Sequence, residues 1–132
     1  MHGTQIKKII ISLIQAIEQE NYEIVRTIFD PNIDNSVTDK QGNTFHLNGS
    51  EAYISAIKRM NFSIIKPSLH ITQINVLNEN EALFMIEVKA QKGEHKLHNH
   101  AAYLVKLKNH KIISMDMVEA LPEYSDKFWN EY

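Results

Sequence analysis

The hydrophobic period of this chain changes near Pro67, and that change constrains the fold more than any other feature. Before it, apolar residues recur every three or four positions, as on the buried face of a helix. After it, apolar and polar residues alternate, as on strands with one buried face. The order predicts an α+β fold in which N-terminal helices pack on an antiparallel sheet.

Three segments before Pro67 have the pattern of amphipathic helices. Isoleucine and leucine recur at helical spacing over residues 4–19, which predicts a long first helix. A second, shorter helix is expected over residues 22–29, with Asn21 as its N-cap and an Asp-Pro pair closing it. The third is expected to take Ser50 as its N-cap and to bury Tyr53 on its inner side.

Strand signals fill the rest of the chain. The stretch "DKQGN", residues 39–43, predicts the turn of a hairpin between residues 36–38 and 44–47. Four alternating runs then follow with separators short enough for antiparallel hairpins, at residues 69–77, 82–90, 97–107 and 111–119. A short helical tail is expected over residues 123–129.

Composition narrows the class of protein. A length of 132 residues predicts one domain over residues 1–132, and 43% hydrophobic residues suffice for a real core. A formal charge of −2 with scattered basic residues argues against nucleic-acid binding. The chain has no cysteine and no apolar run near the ~20 residues that a membrane span requires, so we expect a cytoplasmic protein without thiolate chemistry.

The stretch "HKLHNH", residues 95–100, holds three of the seven histidines. On a strand His98 and His100 share one face, while His95 has the other parity and is expected at the turn. Ala102 and Leu104 lie on the histidine face, which we interpret as an outer or subunit-facing surface. Two imidazoles could contribute to a zinc site, but no third ligand of matching parity is evident in the sequence, so we predict no metal.

The opposite face of the same strand is the more apolar one and interrupts its pattern with Asn99. A buried amide must find hydrogen-bond partners, so Asn99 faces either a pocket or a structural partner. On the last strand Ile113, Met115 and Met117 are expected to alternate inward and to end at Glu119. A carboxylate in that place lies either at a wet rim or in a cavity that raises its pKa.

The order of these elements resembles the nuclear transport factor 2-like superfamily, also described as SnoaL-like or cystatin-like. The resemblance spans nearly the whole chain and rests on the first helix, "NYEIVRTIFD", "LNGSEAYISAI" and "LVKLKNHKIISMDMVEALP". It implies a cone-shaped α+β barrel, in which three N-terminal helices pack on a strongly curved antiparallel sheet. It also implies a small apolar ligand in the cone, and homodimers formed through the outer sheet face that includes His98, His100 and Leu104.

Function in this superfamily varies, so the residues must decide. The first helix offers no inward tyrosine, as ketosteroid-isomerase-like members require, and both arginines lie on predicted helices, unlike the sheet arginine of epoxide hydrolases. The resemblance to SnoaL-type cyclases implies a minimal site with Glu119 as base and Asn99 or Tyr103 as donor, with no cofactor. The predicted ligand-binding residues are Tyr53, Phe84, Met115, Met117 and Trp129. The alternative is a non-enzymatic homodimer whose cone is filled by side chains.

Overall fold

The computed structural model describes residues 1–39 and 41–131. Its five helices are α1 (Gly3–Glu18), α2 (Tyr22–Ile28), α3 (Ser50–Lys58), α4 (Phe62–Ile65) and α5 (Pro122–Asn130). Its six strands are β1 (Phe29–Thr38), β2 (Thr44–Asn48), β3 (Ser68–Asn78), β4 (Glu81–Lys92), β5 (His95–Lys108) and β6 (Lys111–Glu119). The predicted helices and strands are all present, and the α+β class is confirmed.

One sheet contains all six strands in the order β2-β1-β6-β5-β4-β3. The long meander from β3 to β6 is antiparallel throughout, as predicted. The expectation of an entirely antiparallel sheet is wrong for one pair, because β1 runs parallel to β6. That pairing is non-local in sequence, and no hairpin pattern could have indicated it. It joins the early β1–β2 hairpin to the end of the meander and extends the wall of the cone.

Several boundaries differ from the sequence prediction. The early strand begins at Phe29, directly after α2, and so includes Pro31. Proline is tolerated there because the pairing with β6 shifts register between Phe29 and Asp34. The N-cap of α3 is Gly49 at φ +93°, not Ser50, because the chain turns from strand to helix in a conformation that favours glycine.

Two further local features differ from the sequence prediction or lie partly outside the described residues. The four-residue helix α4 was not predicted. The predicted 39–43 turn includes Lys40, which lies outside the described residues. On either side of it, the Asp39 N–H donates to the Asn43 carbonyl over 2.8 Å. The Asp39 side chain also accepts from the Asn43 N–H over 2.9 Å.

A bulge in β6 changes which side chains face the helices. Leu107 pairs with Ile112 and Lys106 pairs with Ser114, so Ile113 is the extra residue between them. The inward residue is therefore Ile112, which is fully buried, and the expectation for Ile113 is wrong. Beyond the bulge the predicted parity holds, because Tyr103 lies opposite Met117 and Ala101 lies opposite Glu119.

The core lies between α1 and the concave face of the sheet. The buried stripe of α1 is the predicted one, and Ile6, Ile10 and Leu13 are completely excluded from solvent. β5 alternates strictly between buried and exposed residues along most of its length, as its sequence indicated. Within the part of the chain that the structure describes, no helix is long and apolar enough to cross a membrane.

Candidate ligand cavity

The cone encloses a cavity of about 470 Å³. Its floor is formed by Ile14 and Ile17 at the end of α1, and its walls come from the inner faces of the strands together with α3 and α5. The space is within the range of ~300–1,000 Å³ typical of small-molecule sites. This space favours the ligand-binding interpretation over the alternative in which side chains fill the cone.

Glu119 lies on the cavity wall at the end of β6. Its Oε1 accepts a hydrogen bond from the Ser125 hydroxyl of α5 over 3.0 Å. Burial raises the pKa of the Glu119 carboxyl, the nearby Asp126 charge raises it further, and the Ser125 hydrogen bond partly opposes both. Glu119 is half-buried, so its environment lies between the wet rim and the closed cavity that the sequence allowed, with its pKa shifted in the direction of the cavity.

Two tyrosines face the same cavity from different elements. Tyr103 extends from β5 and Tyr53 from α3, and both line the cavity. Burial raises the pKa of Tyr103 well above its ordinary value, and the neighbouring Tyr53 and Glu119 raise it further. Burial also raises the pKa of Tyr53. Phenols with raised pKa values are protonated at neutral pH, and neither hydroxyl forms a hydrogen bond to a residue that the structure describes.

Asn35 is a polar wall residue that the sequence did not single out. It lies on β1, is 1% exposed, and borders the cavity beside its β6 partner Met115. Neither its amide nitrogen nor its amide oxygen has a hydrogen-bond partner among residues 1–39 and 41–131. Since buried amides are rarely unpaired, Asn35 is a group that a ligand or ordered water would satisfy.

Asn99 has a different environment from the one expected of a ligand donor. Its Oδ1 accepts the backbone N–H groups of His100 and Leu121 over 2.9 and 3.0 Å. Its amide nitrogen donates to the Leu121 carbonyl over 3.4 Å. Asn99 borders the cavity. Its hydrogen bonds, however, are those expected of a residue with structural partners, because they attach the segment leading into α5 to the middle of β5. These contacts support a positioning role for Asn99, and its role as a donor to a ligand stays a prediction.

Most of the predicted ligand-binding residues line the cavity, and one does not. Met115, Met117 and Trp129 all border it, together with Tyr53. Phe84 instead is 1% exposed and stacks on its cross-strand neighbour Tyr103, with ring centroids 4.6 Å apart. Contrary to the expectation for a ligand contact, Phe84 is not among the described residues that line the cavity. Phe84 orients the Tyr103 ring.

The tail helix α5 closes one side of the cone. Lys92, at the end of β4, donates from Nζ to the carbonyls of Phe128 and Trp129 over 2.7 and 3.0 Å. The same ammonium lies 5.1 and 5.6 Å from the centroids of these two rings. This contact holds Trp129 against the cavity, where its ring lies 5.9 Å from that of Phe62.

The mouth of the cavity carries an exposed cation. Arg59 ends α3 and borders the opening, and it forms no ion pair with any residue that the structure describes. The other arginine, Arg26, is instead held by the carboxylates of Glu51 and Glu23. Sequence reasoning set Arg59 aside because it lies on a helix, and only the position of that helix end places it at the opening.

The outer face of the sheet carries the predicted histidines. His98 and His100 are exposed there, and Leu104 lies on the same face in a half-buried position. The expectation that no third metal-ligating residue lies nearby is wrong: Glu87 of β4 is the direct cross-strand partner of His100. The residue belongs to another strand and becomes a neighbour only through the β4–β5 register.

No family model matches the sequence, and no curated protein matches it. Solved structures do match over nearly the whole chain. Bal32a, from a soil-derived mobile gene cassette, is 14% identical with a TM-score of 0.82, over 96% of this chain and 98% of Bal32a. A candidate SnoaL-like polyketide cyclase from Jannaschia sp. CCS1 is 12% identical with a TM-score of 0.77, over 93% of this chain and 90% of the cyclase.

A third similar structure is an epoxide hydrolase of the limonene-epoxide-hydrolase-like type from M. tuberculosis. It is 10% identical with a TM-score of 0.70, and the match covers 95% of each chain. Identities this low establish the fold and leave the chemistry to the residues of the site.

Proposed function

We propose that this chain, whose fold is that of the nuclear transport factor 2-like (SnoaL-like) superfamily, binds a small apolar carbonyl compound in its cone and moves a proton on it. The observation that carries the proposal is the meeting of Glu119, Tyr103 and Tyr53 in one cavity. Similar structures include a candidate polyketide cyclase and an epoxide hydrolase, so the fold accommodates reactions on small organic molecules.

Each residue has a definite task in this chemistry. Glu119 removes a proton from the carbon next to the carbonyl, and its raised pKa brings its basicity closer to the working pH. The C–H electron pair moves into the carbon–carbon bond and the carbonyl oxygen becomes an enolate. A protonated phenol of Tyr103 or Tyr53 donates to that oxygen from a buried position on the cavity wall. Return of the proton to the same carbon gives exchange with solvent. In a β,γ-unsaturated carbonyl compound the intermediate is a dienolate, and delivery of the proton to its γ-carbon completes an isomerisation.

The remaining wall selects the substrate. Met115, Met117 and Trp129 offer apolar and adaptable contacts. Asn35 places a buried amide behind this wall, and its two amide atoms have no partner among the described residues. Arg59 at the opening favours a ligand whose outer end bears a negative or strongly polar group.

Deuterium exchange tests the proposal directly. A panel of cyclic ketones in D₂O would be followed by NMR for loss of the α-proton signal, with quenching of the single tryptophan, Trp129, as the binding signal. We expect exchange on at least one ketone and a loss of ~10²-fold or more in Glu119→Gln. The matched control is Glu79→Gln, an exposed glutamate in the β3–β4 turn.

The two possible failures are distinguishable. Binding without exchange, or exchange that persists in Glu119→Gln, would contradict the assignment of Glu119 as base. Absence of both quenching and exchange across the panel would contradict the proposal as a whole.

A second proposal concerns self-association, as the resemblance implied. Leu83, Met85 and Val118 are 40%, 37% and 52% exposed, and together with Leu104 they form an apolar patch on the outer sheet face. Their positions are adjacent on β4, β5 and β6, and such a patch is typical of the centre of a protein interface. We infer that a second copy of the chain covers this outer patch.

Light scattering after gel filtration tests the dimer. We expect a dimer for the unmodified chain and a monomer for Val118→Lys, because a buried unpaired charge opposes association. Ile64→Lys is the control, since Ile64 is 80% exposed and lies outside the outer patch. A monomeric unmodified chain would contradict the proposal.

We also place the protein in the cytoplasm, because its cysteine-free composition suits a reducing compartment.

A further inference from the structure

Three metal-ligating side chains meet on the outer face of the sheet, away from the cavity. One carboxylate oxygen of Glu87 and one ring nitrogen each of His98 and His100 all lie within 4.8 Å of one another. We propose that Glu87, His98 and His100 form a binding site for a divalent transition-metal ion of the zinc class. This site goes beyond the proposed function and does not depend on it.

The strand register brings the three residues together. Glu87 lies directly opposite His100 on neighbouring strands, and His98 lies two positions before His100 on the same face. The Glu87 Oε2 is 2.8 Å from the His98 Nε2, and the centroids of the two imidazole rings are 5.5 Å apart. The backbone N–H of His100 donates to the Asn99 side chain over 2.9 Å, which fixes the strand at this point.

The spacing suits one ion after small side-chain movements. Zinc binds imidazole nitrogen at ~2.0–2.1 Å and carboxylate oxygen at ~2.0–2.2 Å, so tetrahedral ligand atoms lie about 3.4 Å apart. A group already within 4.8 Å needs shifts of about 1 Å or less per side chain to reach that arrangement. The His98 side chain is 58% exposed and can make that shift freely.

The ligand types select the metal. Two imidazoles and one carboxylate suit zinc, nickel or copper, whereas magnesium and calcium prefer sites built from oxygen alone. Three protein ligands leave one position of a tetrahedral ion for water or another donor. We therefore expect zinc to bind and magnesium not to compete for the site.

Two features of the neighbourhood oppose the ion. The Lys89 ammonium lies 3.8 Å from Glu87, but its side chain is 59% exposed and can turn away. In addition, Glu87 and His98 form a hydrogen-bonded pair that needs no metal, and this pair lowers the pKa of the Glu87 carboxyl. His100 separates the two interpretations, because the pair does not require it and the metal site does.

Calorimetric titration of the tag-free protein with zinc chloride tests the site. We expect saturable binding of one ion per chain, unaffected by magnesium chloride. His98→Ala and His100→Ala should each weaken the affinity tenfold or more. The control His110→Asn removes an exposed histidine from the β5–β6 turn at the far end of β5, where φ is +63° and asparagine is tolerated, and should leave the affinity unchanged.

Circular dichroism of each variant keeps the test interpretable, because all the substituted side chains are exposed and the variants should fold. A cobalt titration provides a second readout, since a tetrahedral nitrogen–oxygen site gives characteristic visible absorption bands. Zinc affinity that persists unchanged in His100→Ala, or an absence of saturable zinc binding to the unmodified chain, would overturn the proposal.

Discussion

Asn35 and Asn99 are both buried amides on the inner face of the sheet, yet only one of them is paired. The Asn99 amide forms three hydrogen bonds to backbone groups, while neither amide atom of Asn35 has a partner among the described residues. Asn99 should therefore stabilise the folded state, whereas the unpaired Asn35 should destabilise it. The sequence singled out Asn99 because apolar residues surround it, and it missed Asn35 because polar neighbours surround that residue.

Replacement of each asparagine by leucine tests this difference. Asn35→Leu should raise the free energy of unfolding by about 1–2 kcal/mol, because it removes unpaired buried polar atoms. Asn99→Leu should lower it by about 2–3 kcal/mol, because it leaves backbone partners unpaired. Urea denaturation of both variants measures the two effects. A loss of stability in Asn35→Leu comparable to that in Asn99→Leu would show that Asn35 is paired in solution.

Glu119 should make stability depend on pH in an unusual direction. Burial raises its pKa above the ordinary 4.5, so the folded chain holds this proton more tightly than the unfolded chain does. Below the ordinary pKa both states are protonated, and Glu119 opposes folding least. As pH rises through the raised pKa, the folded chain must ionise a desolvated carboxyl and loses stability.

The variant Glu119→Gln removes that titration. We expect it to be more stable than the unmodified chain at neutral pH, with the difference vanishing toward pH 4. Thermal unfolding measured across this pH range gives the stability difference between the two chains. Glu79→Gln should have the same stability as the unmodified chain at every pH. A Glu119→Gln variant that is less stable at neutral pH would indicate that Glu119 is held as a stabilised carboxylate.

At the scale of single elements, α5 shows how a helix with little burial of its own becomes part of a site. Only Ser125 and Phe128 of this helix are buried. Its attachment depends on contacts from elsewhere: the Lys92 ammonium at its last carbonyls and the Asn99 amide before its start. A lysine near the C-terminus of a helix also interacts favourably with the helix dipole. The sequence predicted this helix, but not what holds it.

Removal of the lysine charge should loosen α5 without unfolding the sheet. Lys92→Met keeps the length of the side chain but loses two charge-assisted hydrogen bonds, so α5 should open more easily, by about 1.5–3 kcal/mol. Hydrogen exchange in residues 122–130, compared with α1, measures the effect. Lys108→Met, an exposed lysine at the end of β5, is the control. Unchanged protection of α5 in Lys92→Met would show that the remaining contacts of α5, such as the Ser125–Glu119 hydrogen bond, hold the helix without the lysine.

At the scale of the whole molecule, the cone is packed at one end and hollow at the other. α1 fills the closed end with residues such as Leu13, which is completely buried. Toward the opening, side chains such as Met117 border the cavity and have fewer atoms to pack against. The sheet that supplies the wall of the cavity also presents the outer patch and the histidine cluster on its convex side.

Shortening one side chain at each end of the cone should change the free energy of unfolding by different amounts. Leu13→Ala should lower the free energy of unfolding by about 2–5 kcal/mol, because it creates a cavity in a close-packed region. Met117→Ala should cost about 1 kcal/mol or less, since its side chain already borders empty space. Denaturant unfolding of both variants provides the comparison. Equal losses would mean that the cone closes around Met117 in solution.

The sequence by itself determined most of the elements and their faces, because helical and strand periods are local properties of the chain. It thus predicted the buried stripe of α1, the alternation of β5, and the shared face of Met115, Met117 and Glu119 that the structure shows. Only the tertiary structure decided which strands are neighbours, since pairing depends on free energies summed over distant residues. The parallel β1–β6 pair, the approach of Glu87 to His100 and the isolation of Asn35 all follow from that pairing.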